Sequence, residues 1–241
     1  MRIVSAFIKR KVDMKTIKCH QGSHEWFVAR LGKPTASGFG DIITPEGKLK
    51  TGKTPRTYAL ELLAERLTQL PTQTFVTDAM RRGTELEPKA RQWYEFSRGV
   101  TVEQVGICLT DDGKVGGSPD GLLQDRGIEI KCPMSATFMD IVESGVIPDD
   151  HMMQMQGLMW ITRLSMWDYV VYTDLPGLIP QVYSVQADPK IQAALSLHMP
   201  AFVAKLDEME SRLRSLGHGN IAVKAEEDAP TWEELTNMVT A

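Results

Sequence analysis

The stretch Gly116–Pro133, GGSPDGLLQDRGIEIKCP, constrains the fold of this 241-residue chain more than any other. Asp120 follows a Ser-Pro. Then come Gly121, two leucines, a polar turn at Gln124-Asp125-Arg126-Gly127, and Ile128-Glu129-Ile130-Lys131-Cys132. That last run alternates apolar and polar, the period of a half-buried strand. Ile128, Ile130 and Cys132 are therefore expected in a core, with Glu129 and Lys131 projecting from the other face. If Leu122-Leu123 pairs with this strand across the turn, Asp120 closes on Glu129 at one end of a hairpin. Two carboxylates beside an ammonium can hold Mg²⁺ or Mn²⁺ and orient or deprotonate a water. A surface hairpin with solvated charges fits the spacing equally well, because D-x₈-E-x-K is a loose pattern.

The remaining composition narrows the classes. A 42% hydrophobic content supports one large domain or one domain with appendages, and no apolar run reaches transmembrane length. The N-terminus places Lys9-Arg10-Lys11 after a short apolar patch, the reverse of a secretory signal. Three dispersed cysteines (Cys19, Cys108, Cys132) point to a reducing cytoplasm and away from a cysteine-built metal centre.

Net charge is −4, but it is unevenly spread. Residues 1–60 carry 12 Lys/Arg against 4 Asp/Glu, and the acidic excess lies beyond them. A locally basic segment suits a polyanion, and Lys48, Lys50 and Lys53 sit among glycines in Gly47–Lys53, a loop suited to backbone-phosphate contact. Ordinary solvated lysines are the plainer alternative. Gly47–Thr54 matches the Walker pattern literally, but no apolar strand precedes it, and the match is discounted.

Residues 1–18 read as an arm. Ser23 caps a short helix, His24–Leu31, ending at Gly32. On it Trp26 and Arg30 are four apart and point the same way. A second short helix opens at Thr35-Ala36-Ser37. Arg30 and Ser37 can bind a phosphate, or Arg30 can simply pack on Trp26. Further helices are expected from Pro55 to about Leu67 and over Asp78–Arg98. Pro88 should kink the second of these or start its second half, and Glu87 just before it is most simply solvated. Val105–Thr110 leads into the hairpin. Helices follow at about 136–144 and 150–163, strands at 168–173 and 181–185, and a long helix at about 189–216. Gln154 on the apolar side of its helix needs a partner, either the hairpin site or backbone. The order predicts an α/β (α+β) domain over 19–216 with a central mixed five-stranded sheet flanked by helices. Residues 217–241 read as a linker and a short amphipathic helix with a capping box at Thr231, which packs on its own domain or else on a subunit or partner.

Five ordered blocks then resemble a family: Trp26-x₃-Arg30-x-Gly32-x₂-Thr35-Ala36-Ser37, Gly83-x₃-Glu87-x₂-Ala90-Arg91, Ser118-Pro119-Asp120-Gly121, Glu129-Ile130-Lys131-Cys132-Pro133 and Gln154-Met155-Gln156. Together they are similar to the lambda exonuclease (YqaJ-type, phage recombination) branch of the PD-(D/E)xK nucleases, over roughly residues 20–215. The resemblance implies a restriction-endonuclease-like core and an Mg²⁺-dependent, processive 5′→3′ exonuclease on linear duplex DNA. It also implies two ions per site with Mn²⁺ able to substitute, a homotrimeric ring, and delivery of the 3′ strand to a single-strand annealing protein in a bacterial cytoplasm. By position Asp120, Glu129, the Ile130 carbonyl and Glu87 resemble metal ligands. Lys131 resembles the water-activating lysine, and Gln154 the glutamine closing the site. Arg30, Ser37 and Ser118 fall where the family holds the 5′-phosphate, and Met80 near its strand-separating wedge. Thr137 stands where the family has an arginine, and Pro88 and the tail lie outside its pattern. A same-superfamily endonuclease and a non-catalytic DNA-end-binding scaffold are the alternatives.

Overall fold

The computed structural model describes residues 15–72 and 77–219. The tail helix expected near 231–239 lies outside the described residues. Strand β1 (Lys15–Ile17) comes from the end of the segment read as an arm, and it pairs with β2 (Ile107–Leu109). Helix α1 (His24–Arg30) begins as its sequence demands, with the Ser23 hydroxyl accepting from the Trp26 amide at 3.3 Å. A 3₁₀ helix follows at Ala36–Asp41, then α2 (Lys53–Thr68) and α3 (Asp78–Arg98). Pro55 lies at the third position of α2, which opens at Lys53. Helix α3 runs unbroken through Pro88, where the missing N–H costs one intrahelical bond to Thr84.

Two sheets form in place of the single five-stranded sheet expected. The first is antiparallel, in the order β1-β2-β3, with β3 at Gly116–Gly117. The second is mixed, in the order β4-β5-β6-β7, formed by Gly121–Leu122, Gly127–Lys131, Met166–Val171 and Gln181–Gln186. Between β3 and β4 the chain passes through Ser118-Pro119-Asp120, and a proline has no N–H with which to carry a ladder onward. The break therefore falls at the residues singled out as functional. Within the second sheet β4 and β5 make the expected hairpin, Gly121 opposite Ile128 and Leu122 opposite Gly127.

Strand β5 is central, antiparallel to β4 and parallel to β6, with Glu129 opposite Tyr169. One face carries Ile128, Ile130 and Cys132 against Leu86, Ala90 and Tyr94 of α3. The other face is covered by α5 (Asp149–Thr162) and the 3₁₀ helix, whose Phe39 packs with Met155, Leu158 and Tyr169. A strand covered on both faces leaves no solvated side. Glu129 is accordingly 1% exposed rather than projecting to water. Helix α4 (Ser135–Ser144) follows β5, and α6 (Pro189–Ser215), capped by Asp188, lies across α2 and α5.

Close approach of α5 to the 3₁₀ helix depends on small residues. A methyl at Gly157 would come within 2.4 Å of the Phe39 ring and 3.2 Å of the Ala36 methyl. A methyl at Gly117 would sit 2.7 Å from Leu158 and 3.1 Å from the same Ala36. Real side chains do not approach so closely, and burying Phe39 fully is worth roughly 2–3 kcal/mol that a bulkier contact would forfeit. The turn between α1 and the 3₁₀ helix is held from outside. Gly32, at φ +63°, donates its N–H to Glu65 (2.9 Å), and its carbonyl accepts from Arg66 Nε (2.7 Å). Arg66 reaches on to Asp207 and Glu210 of α6. No helix among the described residues is long and apolar enough to cross a membrane.

Candidate active site

Two clusters meet at the break between the sheets. The first is acidic. Asp120 leaves β3 on the Ser118-Pro119 turn, and its Oδ2 accepts from the Ile130 amide at 2.6 Å. This bond fixes the turn against β5, and the Ile130 carbonyl faces the same edge, because N–H and C=O of one strand residue point together. Lys131 Nζ lies 2.7 Å from Glu129 Oε1 and donates to Gln154 Oε1 at 3.3 Å. Gln154, one of whose two sequence-level partners was the hairpin site, therefore meets Lys131. Glu129 Oε2 is buried with no hydrogen-bond partner among the described residues.

Charges in this cluster perturb one another. Burial, then the carboxylates of Glu129 and Glu87, push the Asp120 pKa well above the usual carboxylate range, against the opposing Lys131. Burial likewise raises Glu129, partly offset by Lys131. Burial alone would lower Lys131, but Glu129, Asp120 and Glu87 outweigh it, and its pKa is raised. Lys131 is thus held as an ammonium among three carboxylates. His151, one turn before Gln154 on α5, shares a 2.8 Å contact between Nδ1 and the Tyr169 hydroxyl. Burial, then the Lys131 charge, brings its pKa down to about 4, leaving the ring neutral near pH 7.

Glu87, expected to be solvated, is half-buried and paired. It pairs with Arg91 one turn later on α3, and Arg91 Nε also donates to the Asp120 carbonyl at 3.1 Å. Helical i, i+4 spacing allows the Glu87 pair, but the bond from Arg91 to Asp120 is invisible to it.

The second cluster is cationic and hydroxylic. The Arg30 guanidinium lies 4.3 Å over the Trp26 ring, so the packing alternative is realised. Its nitrogens also donate to Ser118 Oγ (3.2 Å) and Thr35 Oγ1 (3.3 Å). Ser118 accepts from the Trp26 indole at 2.8 Å, and Thr35 contacts Ser37 at 3.2 Å. Arg30, Ser37 and Ser118 are therefore one constellation, completed by Trp26 and Thr35. Helical spacing gives the Trp26–Arg30 contact, whereas the bonds of Trp26 to Ser118 and of Thr35 to Arg30 and Ser37 have no signal in the sequence. No carboxylate pairs with Arg30 among the described residues, and burial lowers its pKa. A guanidinium with hydroxyl partners and Glu65 acting on it only from beyond salt-bridge distance is prepared for an anion.

Other expected site residues lie apart from these contacts. Lys48 and Lys53 are exposed and Lys50 half-buried, on a turn where Ile43 bridges Leu49 and in the opening of α2. Met80 is 47% exposed in the first turn of α3. Thr137 is exposed in the first turn of α4.

The donor set suits a hard divalent cation. Oxygen ligands, an orphaned Glu129 oxygen and two buried carboxylates whose pKa values are raised, first by burial and then by neighbouring carboxylates, all describe a place where positive charge is wanted. No three His, Cys, Asp or Glu side chains gather into a closed cage among the described residues. Mg²⁺ ordinarily takes one or two carboxylates and leaves its remaining positions to water and phosphate.

A mixed sheet flanked by helices, with Asp120 on a turn and Glu129-x-Lys131 on the central strand, defines a protein of the PD-(D/E)xK class. The chain belongs to the YqaJ-like viral recombinase domain family, whose model matches residues 25–165. It is similar to the crystal structure of an alkaline exonuclease (LHK-Exo) from Laribacter hongkongensis, with 34% identity and a TM-score of 0.73 over 81% of this chain and 98% of that one. The structure of LHK-Exo in complex with dAMP is similar at 35% identity and the same TM-score and coverage. A phage-related exonuclease from Haemophilus somnus 129PT shares the fold at 18% identity, with a TM-score of 0.60 over 75% of this chain and 96% of that one. No curated protein sequence matches the chain significantly.

Proposed function

We propose that this chain is an Mg²⁺-dependent, processive 5′→3′ exonuclease on linear double-stranded DNA. It leaves 3′ single strands for a single-strand annealing protein, works as a homotrimeric ring with two ions per site, and accepts Mn²⁺ in place of Mg²⁺. One observation carries the polarity. Ser118 and Asp120 lie two residues apart on one turn, tying the Arg30 constellation to the carboxylate site. A 5′-phosphate seated on Arg30, Ser37 and Ser118 holds the strand end at a fixed distance from the Asp120–Glu129–Lys131 cluster. LHK-Exo, 35% identical, has been crystallised in complex with dAMP, which supports a nucleotide as the ligand class for this chain.

Asp120, Glu129 and the Ile130 carbonyl would hold the metal, with Glu87 close by. Bound there, the metal relieves negative charge on the scissile phosphate and favours ionisation of a neighbouring water. Lys131, as an ammonium anchored by Glu129 and Gln154, orients an attacking water or a phosphate oxygen by donating to it. Gln154 fixes that ammonium from the α5 side. Lys48, Lys50, Lys53 and Met80 are assigned to the duplex, the lysines through phosphates and therefore with strong salt dependence.

The deciding assay incubates linear duplex with 5′-phosphate or 5′-hydroxyl ends, and closed circles, with Mg²⁺ or EDTA. Degradation restricted to linear DNA, faster from 5′-phosphate and abolished by EDTA, is expected. Cutting of circles would overturn the exonuclease in favour of an endonuclease, and no cutting at all would leave an end-binding scaffold.

A further inference from the structure

We infer that Arg91 is a positioning residue for the acidic cluster, an inference that rests on the nuclease reading above. Its side chain is 11% exposed and has two partners from different elements. The guanidinium pairs with Glu87 one turn earlier on α3, and its Nε donates to the main-chain carbonyl of Asp120 on the turn between the sheets. Asp120 is held a second time by the Ile130 amide. One planar fork therefore sets the separation of a helix carboxylate and a turn carboxylate, while β5 sets that of the turn and Glu129. Beside the fork, α3 meets β5 through apolar packing, with Leu86 and Ala90 in one buried cluster with Ile128 and Ile130. Apolar contacts position a helix but do not aim a carboxylate.

A geometric role differs from a charge role. Arg91 is already neutralised by Glu87, so a residue that retained the charge but lost the fork would keep the electrostatic balance and release the geometry. Lysine is that residue, since a single ammonium on a flexible stem cannot reproduce a two-sided guanidinium contact. Outer residues that orient metal ligands typically cost about 10–100-fold in affinity or activity when changed.

The full chain is compared with R91K, R91A and, as a control, D120N. Mn²⁺ binding is measured by calorimetry without DNA, and kcat, KM for linear duplex and thermal stability are measured alongside. R91K is expected to lower kcat by about tenfold or more and to weaken Mn²⁺ binding to a similar extent, with KM for DNA unchanged. R91A should lower kcat at least as far. Wild-type kcat and Mn²⁺ affinity in R91K would overturn the inference. So would a loss that tracks reduced stability and disappears on cooling, because that is a structural role. Mn²⁺ binding in the wild type that D120N leaves intact would instead overturn the site assignment on which the inference rests.

Discussion

Glu129 and Asp168 occupy neighbouring parallel strands, Asp168 opposite Ile128 and Glu129 opposite Tyr169, and are 1% and 2% exposed. Burial is equal, yet the surroundings differ. Asp168 accepts from the Tyr94 hydroxyl at 2.7 Å, the Ser184 hydroxyl at 2.6 Å and Arg126 at 3.2 Å, so both its oxygens are satisfied. Among the described residues Glu129 has Lys131 on one oxygen and no hydrogen-bond partner on the other. The first carboxylate is finished by the protein. The second is left for something the chain does not supply. A buried unsatisfied oxygen costs about 1–3 kcal/mol, and a fold that retains one is giving up stability at that point.

The comparison can be broken most directly at Lys131. Replacing it by alanine is expected to lower kcat by at least about 10²–10³-fold, as when a preorganised donor is removed, with DNA binding largely intact. Equal losses of binding and cleavage would show that Lys131 only holds substrate. On the finished side, Asp168→Ala should destabilise by about 3 kcal/mol in urea unfolding, because the buried Tyr94 hydroxyl and Arg126 lose their acceptor. Activity per folded molecule should not change. A smaller contrast is found among the cations. Arg126 is paired with Asp125 and Asp168, whereas Arg30 has only hydroxyls and a ring. Arg30→Ala should reduce the preference for 5′-phosphorylated over 5′-hydroxyl ends by about tenfold, the worth of one charge-assisted bond.

The smallest effect has opposite signs at the two acidic positions. Asp120 has a raised pKa in the folded protein, so its favourable contribution is present below the ordinary carboxylate range and is lost as pH rises through the folded value. At alkaline pH in EDTA this carboxyl is therefore a cost to the folded state. Asp120→Asn, which keeps an oxygen for the Ile130 amide, should raise the unfolding midpoint there by roughly 2–4 °C, about 1 kcal/mol for a chain this size. The gain should shrink toward pH 4. Asp168→Asn under the same conditions should fall instead.

How far the sequence carried this picture differs by element. The β4–β5 hairpin, the Ser23 cap and the left-handed glycines ending α1 and α3 follow from local chemistry, and all are present. The carboxylate–lysine set was legible because its three residues lie within one hairpin. The burial of Glu129 was not. Alternation reports which residues share a face, but it does not reveal that α5, some twenty residues later, covers the face carrying the charges. The split into two sheets hides behind a three-residue turn. Strand β1 is too short for any period to register. The contacts of Arg91 with Asp120 and of Trp26 with Ser118 are tertiary facts, set by where α3 and α1 dock.

Gly157, Gly117 and Ala36 meet around a single point between α5, β3 and the 3₁₀ helix. Their consequence is genealogical as much as mechanical. Space at that point is shared with Phe39 and Leu158, so a methyl gained at Gly157 or Gly117 must be matched by a smaller neighbour there as well as at Ala36. Among descendants of a common ancestor these five positions should drift as a set, with the sum of their volumes held. A catalogue of related chains would then display the seam between helix and turn as a correlation, even where each column taken alone looks variable.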